Sequence, residues 1–125
     1  MVGLTVFVYG TLRPGSWNHD RSLAPWLAAP CRPAALPGHA LHHLEGLPYV
    51  CAEPGARVDG DVAELSGAAA LAALDRLEDV DGGHYARVEL PLDDGTPAWV
   101  WVAGARVAAR LGSATRVAHG DWLLV

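Results

Sequence analysis

Hydrophobic and polar positions along the chain predict several strands and one substantial helix. Residues 4–9 are rich in β-branched and aromatic side chains, which predicts a largely buried strand. Further strand candidates are, in chain order, 38–44, 58–65, 85–92 and 98–102. An Asp-Asp-Gly sequence at 93–95 predicts a hairpin between the last two of these. Because the final strand is bulky throughout, we expect it to be central in the sheet.

Prolines and glycines predict where regular structure stops. Three prolines within residues 30–38 predict an irregular segment, since proline lacks the backbone N–H and fixes φ. Glu53-Pro54-Gly55 predicts a turn. Residues 23–27 predict a short helix that ends before Pro30.

The best helix candidate begins after Ser66, a suitable N-cap, and ends near Glu78. Leu71, Leu74 and Glu78 are spaced i, i+3 and i+7, so they lie on one face of a helix of 3.6 residues per turn. A carboxylate therefore stands in an apolar stripe. Asp81-Gly82-Gly83 ends the helical pattern.

The position of Glu78 makes it a candidate general acid or base. Burial of an unpaired carboxylate is costly, and both desolvation and the nearby carboxyl end of the helix raise its pKa. A raised pKa prepares a carboxyl group for proton transfer near neutral pH. The alternative is a structural carboxylate that pairs with Arg76, Arg87 or a backbone amide.

The order of the elements predicts an α+β fold. A helix that crosses over before Tyr85 favours a mixed sheet, and the sheet is short enough to curl into a partial barrel. The length of 125 residues fits a single domain spanning 1–125.

Composition limits the classes of partner. The net charge of −5 and the absence of any cluster of basic residues argue against a nucleic-acid surface. No apolar run is long enough to cross a bilayer, and no signal peptide is evident at the N-terminus. We therefore expect a cytoplasmic protein in which Cys31 and Cys51 are reduced thiols.

A tight loop, Gly10-Thr11-Leu12-Arg13-Pro14-Gly15, follows the first strand. Glycines let backbone amides turn outward, where they bind carboxylates or phosphates. The two glycines have the spacing of a phosphate-binding P-loop, but Ser16-Trp17 stand where that motif requires Lys-Ser/Thr, so we reject it. A loop that binds a small anion or amide and a plain turn at a strand end both remain open.

Histidines raise the question of a metal site. His39, His42 and His43 are near Cys31 and Cys51 in the sequence, but the known spacings of zinc ligands are absent. Adjacent histidines also point in opposite directions from a strand. We expect surface or hydrogen-bonded histidines and no bound metal.

Four motifs in one order carry a family resemblance. They are Tyr-Gly-Thr-Leu at 9–12, Val-x-Gly-Asp-Val at 58–62, Leu-Asp-x-x-Glu at 74–78 with Tyr-x-Arg at 85–87, and Gly-Asp-Trp at 120–122. With these motifs the chain resembles the gamma-glutamylcyclotransferase-like proteins, which include gamma-glutamylamine cyclotransferases and plant AIG2-type proteins. The resemblance implies an α+β fold in which a small mixed β-barrel with flanking helices encloses a cavity.

The resemblance also implies a reaction and its residues. A gamma-glutamyl amide or amine is cyclised to 5-oxoproline with release of the amine, without a cofactor, and Glu78 is the catalytic acid/base. The implied substrate-binding residues are Tyr9, Gly10, Thr11, Leu12 and Tyr85. For the two tyrosines, core packing with a satisfied hydroxyl is the alternative.

Some features stay open at this point. The family often has glycine directly after the catalytic glutamate, whereas this chain has Asp79. A second carboxylate there either raises the pKa of Glu78 further or points to solvent. A non-enzymatic binding or interaction module on the same fold is the alternative function. The substrate's amine and the oligomeric state are not predicted.

Overall fold

One five-stranded sheet forms the centre of the computed structural model, which describes residues 4–125. The strands are β1 (Thr5–Val8), β2 (Arg32–Leu44), β3 (Leu47–Glu64), β4 (Tyr85–Pro91) and β5 (Pro97–Ala103). Their order in the sheet is β2-β3-β1-β5-β4. β1 and β5 are parallel and the other neighbours are antiparallel. The predicted mixed α+β class is confirmed, although the sheet is open and the term barrel is loose.

The middle strand is β1, and β5 lies beside it. The expectation of a central β5 is therefore correct only in that β5 is an interior strand. β5 also pairs with β4 through the predicted hairpin, in which the amide of Leu92 donates to the carbonyl of Thr96 at 2.9 Å.

The principal helix, α1, spans Ala68–Leu77 and leads from β3 to β4. Its N-cap is Gly67 and not Ser66. The backbone amide of Ser66 instead donates to the carbonyl of Trp26 at 2.7 Å, which ties the start of the helix to an earlier turn.

The remaining helical segments are short. They are a π-helical turn at His19–Leu23, a 3-10 turn at Ala24–Trp26, the single turn α2 at Ala105–Ala108 and a 3-10 turn at Trp122–Leu124. The first two confirm the short helix predicted before Pro30. No helix among the residues described is long and apolar enough to cross a membrane.

The prediction of irregular structure at 30–38 is wrong from Arg32 onward, because β2 includes Pro33 and Pro37. The physical reason is that β2 is an edge strand. Proline removes a hydrogen-bond donor, which an edge strand tolerates on its unpaired side. The register shifts once, between Pro37 and His39, where Gly38 has a φ of 72°.

The predicted turn at Glu53-Pro54-Gly55 does not reverse the chain, because β3 runs through it. Pairing with β2 skips from Ala52 to Arg57 opposite Gly38 alone, so these residues form a bulge. Gly55 adopts a φ of 84° there.

The core consists of two hydrophobic clusters, and successive residues of β1 pack alternately in one and in the other. Val6 and Val8 pack in the cluster that contains Leu74 of α1. Phe7 packs in the second cluster, against which Trp122 lies. Trp122, near the C-terminus, therefore packs against the core of the sheet.

Candidate active site

A cavity of about 240 Å³ opens where β1 ends. Its walls combine the end of β1 and the segment after it, the start of β3, the end of α1, the start of β4 and one residue of β5. The structure brings all the sequence-predicted site residues to this cavity: Tyr9, Gly10, Thr11, Leu12, Glu78 and Tyr85.

Glu78 is the C-cap residue of α1 and lines the cavity. Its side chain has no hydrogen bond or ion pair with any residue from 4 to 125. Arg87, one of the partners considered for it, instead donates from Nε to Oδ1 of Asp75 at 2.9 Å. Burial raises the pKa of Glu78 from 4.5 to about 7. The carboxyl group can therefore exchange a proton near neutral pH.

The helix end that carries Glu78 is a Schellman motif, with Asp79 in the left-handed region at a φ of 52°. The amide of Val80 donates to the carbonyl of Asp75 at 3.1 Å, and that of Asp79 donates to Arg76 at 3.2 Å. Glycine adopts such a φ without strain, so the backbone of Asp79 takes a conformation that favours glycine.

The carboxylate of Asp79 points away from the cavity. Its side chain is about half exposed, and its Oδ2 lies 2.5 Å from Nδ1 of His84. The raised pKa of Glu78 comes from burial and not from Asp79. Of the two possibilities left open by the sequence, the one in which Asp79 faces solvent is correct.

Asp75 holds one wall of the cavity in place. Its Oδ1 accepts hydrogen bonds from Nε1 of Trp101 and from Nε of Arg87, both at 2.9 Å. The guanidinium of Arg87 in turn lies 4.4 Å from the centroid of the Trp99 ring. Trp101 lines the cavity, so this network fixes a surface that faces the candidate acid/base.

The loop after β1 approaches Pro48 very closely. A Cβ atom on Gly10 would lie 2.4 Å from Cγ of Pro48, so only glycine fits there without displacement. Among the residues that the structure describes, the amides of Gly10, Thr11 and Leu12 donate to no protein acceptor. They are accordingly available to a ligand such as a carboxylate.

Asn18 contacts this loop through Thr11 and is almost fully buried. Its Nδ2 donates to Oγ1 of Thr11 at 3.4 Å, and its Oδ1 accepts from the hydroxyl of Ser22 at 2.7 Å. Sequence reasoning did not select Asn18 as a site residue. Its position three residues after Gly15, as the only asparagine of the chain, was the available signal.

The tyrosines of the cavity are neutral donors with satisfied hydroxyls. The hydroxyl of Tyr9 donates to the carbonyl of Trp101 at 2.5 Å, and that of Tyr85 to the carbonyl of Pro48 at 2.6 Å. Burial, and secondarily the charge of Glu78, raises the pKa of Tyr9; burial likewise raises that of Tyr85. The rings form walls, and Tyr49 stacks on Tyr85 with centroids 4.7 Å apart.

Other lining residues were not predicted from the sequence. They are Phe7, Val8, Trp17, Asn18, Leu47, Pro48, Leu77 and Trp101. They come from segments far apart in the chain, and only the fold brings these segments together around the cavity.

The histidines are accounted for by contacts with protein groups. Nδ1 of His42 lies 2.8 Å from Oγ1 of Thr115, and His43 packs edge-on against Trp122. Within residues 4–125, no three His, Cys, Asp or Glu side chains are grouped as metal ligands. Cys31 and Cys51 are free thiols.

Comparison with known proteins identifies relatives over most of the chain. A family model described as gamma-glutamyl cyclotransferase, AIG2-like, matches residues 6–124. An AIG2-like protein from Mus musculus is 25% identical, with a TM-score of 0.69 over 82% of this chain and 78% of that chain. An uncharacterized protein from Pyrococcus horikoshii is also 25% identical, with a TM-score of 0.66 over 95% and 89% of the two chains.

The fold is also shared at lower identity. A protein specific to uropathogenic E. coli is 21% identical, with a TM-score of 0.75 over 98% of this chain and 94% of that chain. No curated protein is significantly similar in sequence. Because the family model matches nearly the whole chain, the protein belongs to the gamma-glutamyl cyclotransferase, AIG2-like family.

Proposed function

We propose that the protein is a gamma-glutamylcyclotransferase-type enzyme that converts a gamma-glutamyl amide or amine to 5-oxoproline and releases the amine. The observation that carries the proposal is that Glu78 lies in the same cavity as the loop at 10–12, has no partner among residues 4–125 and has a pKa raised to about 7. The family to which the chain belongs supports the class of reaction.

Glu78 is proposed as the general acid/base. Its carboxylate takes a proton from the α-ammonium group of the substrate, and the freed amine attacks the carbonyl carbon of the γ-amide. Glu78 then passes a proton to the leaving nitrogen. A pKa near 7 suits both transfers, because either protonation state is readily reached at neutral pH.

The loop amides are proposed as the substrate-binding groups. Gly10, Thr11 and Leu12 line the cavity with amides that have no protein acceptor among the described residues. These donors suit the α-carboxylate of the glutamyl group and the oxyanion of the tetrahedral intermediate. Tyr9 and Tyr85 shape the walls with rings whose hydroxyls are already bonded.

Ring closure is an intramolecular reaction, so the protein has mainly to hold the substrate in a reactive conformation and to transfer protons. The nucleophile and the carbonyl belong to one molecule, so holding the glutamyl chain in a folded conformation supplies much of the acceleration. The atoms balance without water or a cofactor. One C–N bond forms in the ring and one breaks at the leaving amine.

The test is release of 5-oxoproline from gamma-glutamyl amines, gamma-glutamyl amino acids and glutathione. We expect turnover of at least one compound and a loss of about 100-fold or more in kcat for Glu78→Gln, because removal of a general acid/base typically has that effect. Glu89→Gln is the matched control, since Glu89 is exposed on β4 and outside the cavity.

Folding and binding must be separated from chemistry in this test. Glu78→Gln should remain folded and bind the substrate without turning it over. Full turnover by this variant would contradict the assigned role. A parent protein that binds the compounds but releases no 5-oxoproline would instead be a binding module.

A further inference from the structure

The rim of the cavity is unusually apolar for an exposed surface. Trp17 is 73% exposed, Leu77 48% and Leu47 45%, and all three line the cavity. Within the described part of the chain, the other exposed large hydrophobic residues are only the last three, 123–125. Three separate segments therefore place exposed apolar side chains around one opening, which is the pattern of an apolar ligand-binding surface.

The same cavity has no cationic group to receive an anion. Its described lining contains no arginine or histidine, and the sequence contains no lysine. Arginines adjacent to lining segments are engaged elsewhere: Arg13 with Asp61, and Arg110 with Glu45. Arg76, next to Leu77, is exposed and outside the lining.

On the basis of the proposed cyclisation, we infer that the substrate is the gamma-glutamyl derivative of an apolar amine, whose substituent on the amide nitrogen carries no carboxylate and lies against Trp17, Leu47 and Leu77. The glutamyl part occupies the inner end, between the loop amides and Glu78. The substituent then points to the opening, where it meets apolar side chains and no cation.

This assignment separates the substrate class from gamma-glutamyl amino acids and peptides. Their leaving groups carry a carboxylate, which would enter a site whose ionisable carboxyl is Glu78 and whose rim cannot neutralise it. Unpaired charge in a largely apolar site is disfavoured. In the assigned reaction the amide C–N bond breaks, the α-nitrogen bonds to the same carbonyl carbon, and the apolar amine leaves with a proton from Glu78.

A matched pair of compounds tests the inference. Gamma-glutamylphenethylamide and gamma-glutamylphenylalanine have the same aromatic ring and differ by one carboxylate. We expect kcat/KM for 5-oxoproline release to be about tenfold or more higher for the phenethylamide. Gamma-glutamylmethylamide, which lacks the apolar group, should also be at least about tenfold poorer than the phenethylamide.

Charge placed on the rim should change this preference. Leu77→Arg supplies a cation at a half-exposed position and should reduce the preference for the phenethylamide over gamma-glutamylphenylalanine by about fivefold. Leu123→Arg is the matched control, because Leu123 is similarly exposed, at 45%, but lies outside the cavity. It should leave the ratio unchanged.

The outcomes distinguish this inference from the proposed reaction. Equal or faster turnover of gamma-glutamylphenylalanine would overturn the inference and leave the cyclisation intact. If none of the three compounds gave 5-oxoproline, the cyclisation of these compounds would fail, and calorimetric binding to the parent protein would decide the inference. Tighter binding of the phenethylamide than of gamma-glutamylphenylalanine would support it, and equal binding would overturn it.

Discussion

At the scale of single residues, the carboxyl of Glu78 links stability to pH. Its pKa is raised from 4.5 to about 7 in the folded protein, so the folded state holds a proton that the unfolded state has lost between these values. The stability that this group provides is full below about pH 4.5. It is lost as the pH rises to about 7.

The matching prediction compares the parent protein with Glu78→Gln. As the pH rises from 4 to 8, the free energy of unfolding of the parent should fall relative to that of the variant by about 1–3 kcal/mol. Urea denaturation of both proteins across this pH range measures the difference in the free energy of unfolding. The contributions of all other ionisable groups are common to both proteins and cancel in this difference. A difference that does not change with pH would show that Glu78 ionises normally.

The same carboxyl sets the pH dependence of the proposed reaction. A base must be ionised to accept a proton, so kcat/KM should rise with pH and level off above an apparent pKa near 7. Glu89→Gln should give the same curve as the parent. Rates that stay constant from pH 5.5 to 7.5 would argue against Glu78 as the base.

The sequence predicted the place of Glu78 but not its surroundings. Helical spacing with Leu71 and Leu74 is local information, and it identified a carboxylate on an apolar face. Whether that carboxylate is paired depends on distant groups. Arg87 was one candidate partner, and only the fold shows that Arg87 forms its ion pair with Asp75.

At the scale of elements, the end of α1 stores a small strain. Asp79 has a φ of 52°, which costs energy for any residue with a Cβ atom. The contact of the Asp79 carboxylate with His84 contributes little stability in compensation, because both side chains are about half exposed. We predict that Asp79→Gly stabilises the protein by about 0.5–1 kcal/mol.

The control for this prediction is Asp81→Gly. Asp81 is exposed and is not among the residues with positive φ, so glycine there should be neutral or slightly destabilising. Urea denaturation at one pH compares the three proteins. A loss of stability in Asp79→Gly would mean that the His84 contact outweighs the backbone strain.

Edge strands show where sequence reasoning fails at this scale. Prolines at positions 33 and 37 predicted irregular structure, because a proline in a central strand removes a ladder hydrogen bond. The sequence pattern does not reveal which strand is at an edge. β2 is an edge strand through its pairing with β3 alone, which is a property of the whole sheet.

At the scale of the whole molecule, the site is assembled from segments that are distant in the sequence. The catalytic candidate and the loop were predicted because each has a local pattern. The apolar rim was not predicted, because Trp17, Leu47 and Leu77 lie about 30 residues apart and share no pattern. Their proximity depends on how the chain returns to the end of β1.

One network of ion pairs joins three segments that are distant in the sequence: the loop after β1, β3 and the C-terminal region. Arg13, directly after Leu12 in the loop that follows β1, donates from Nε to Oδ2 of Asp61 in β3 at 2.8 Å. Its Nη1 donates to Oδ1 of Asp121 near the C-terminus at 2.7 Å. The side chains of Arg13 and Asp61 are each only 11% exposed, so this pair is protected from solvent.

We predict that Arg13→Met destabilises the protein by about 3 kcal/mol, because it leaves the carboxylate of Asp61 buried without its partner. Arg57→Met is the matched control. Arg57 pairs with Asp59 on the surface, with side chains 64% and 46% exposed, so its loss should cost less than about 1 kcal/mol. Urea denaturation of both variants measures the two costs. Equal effects would mean that the network of Arg13, Asp61 and Asp121 adds no more stability than a surface ion pair.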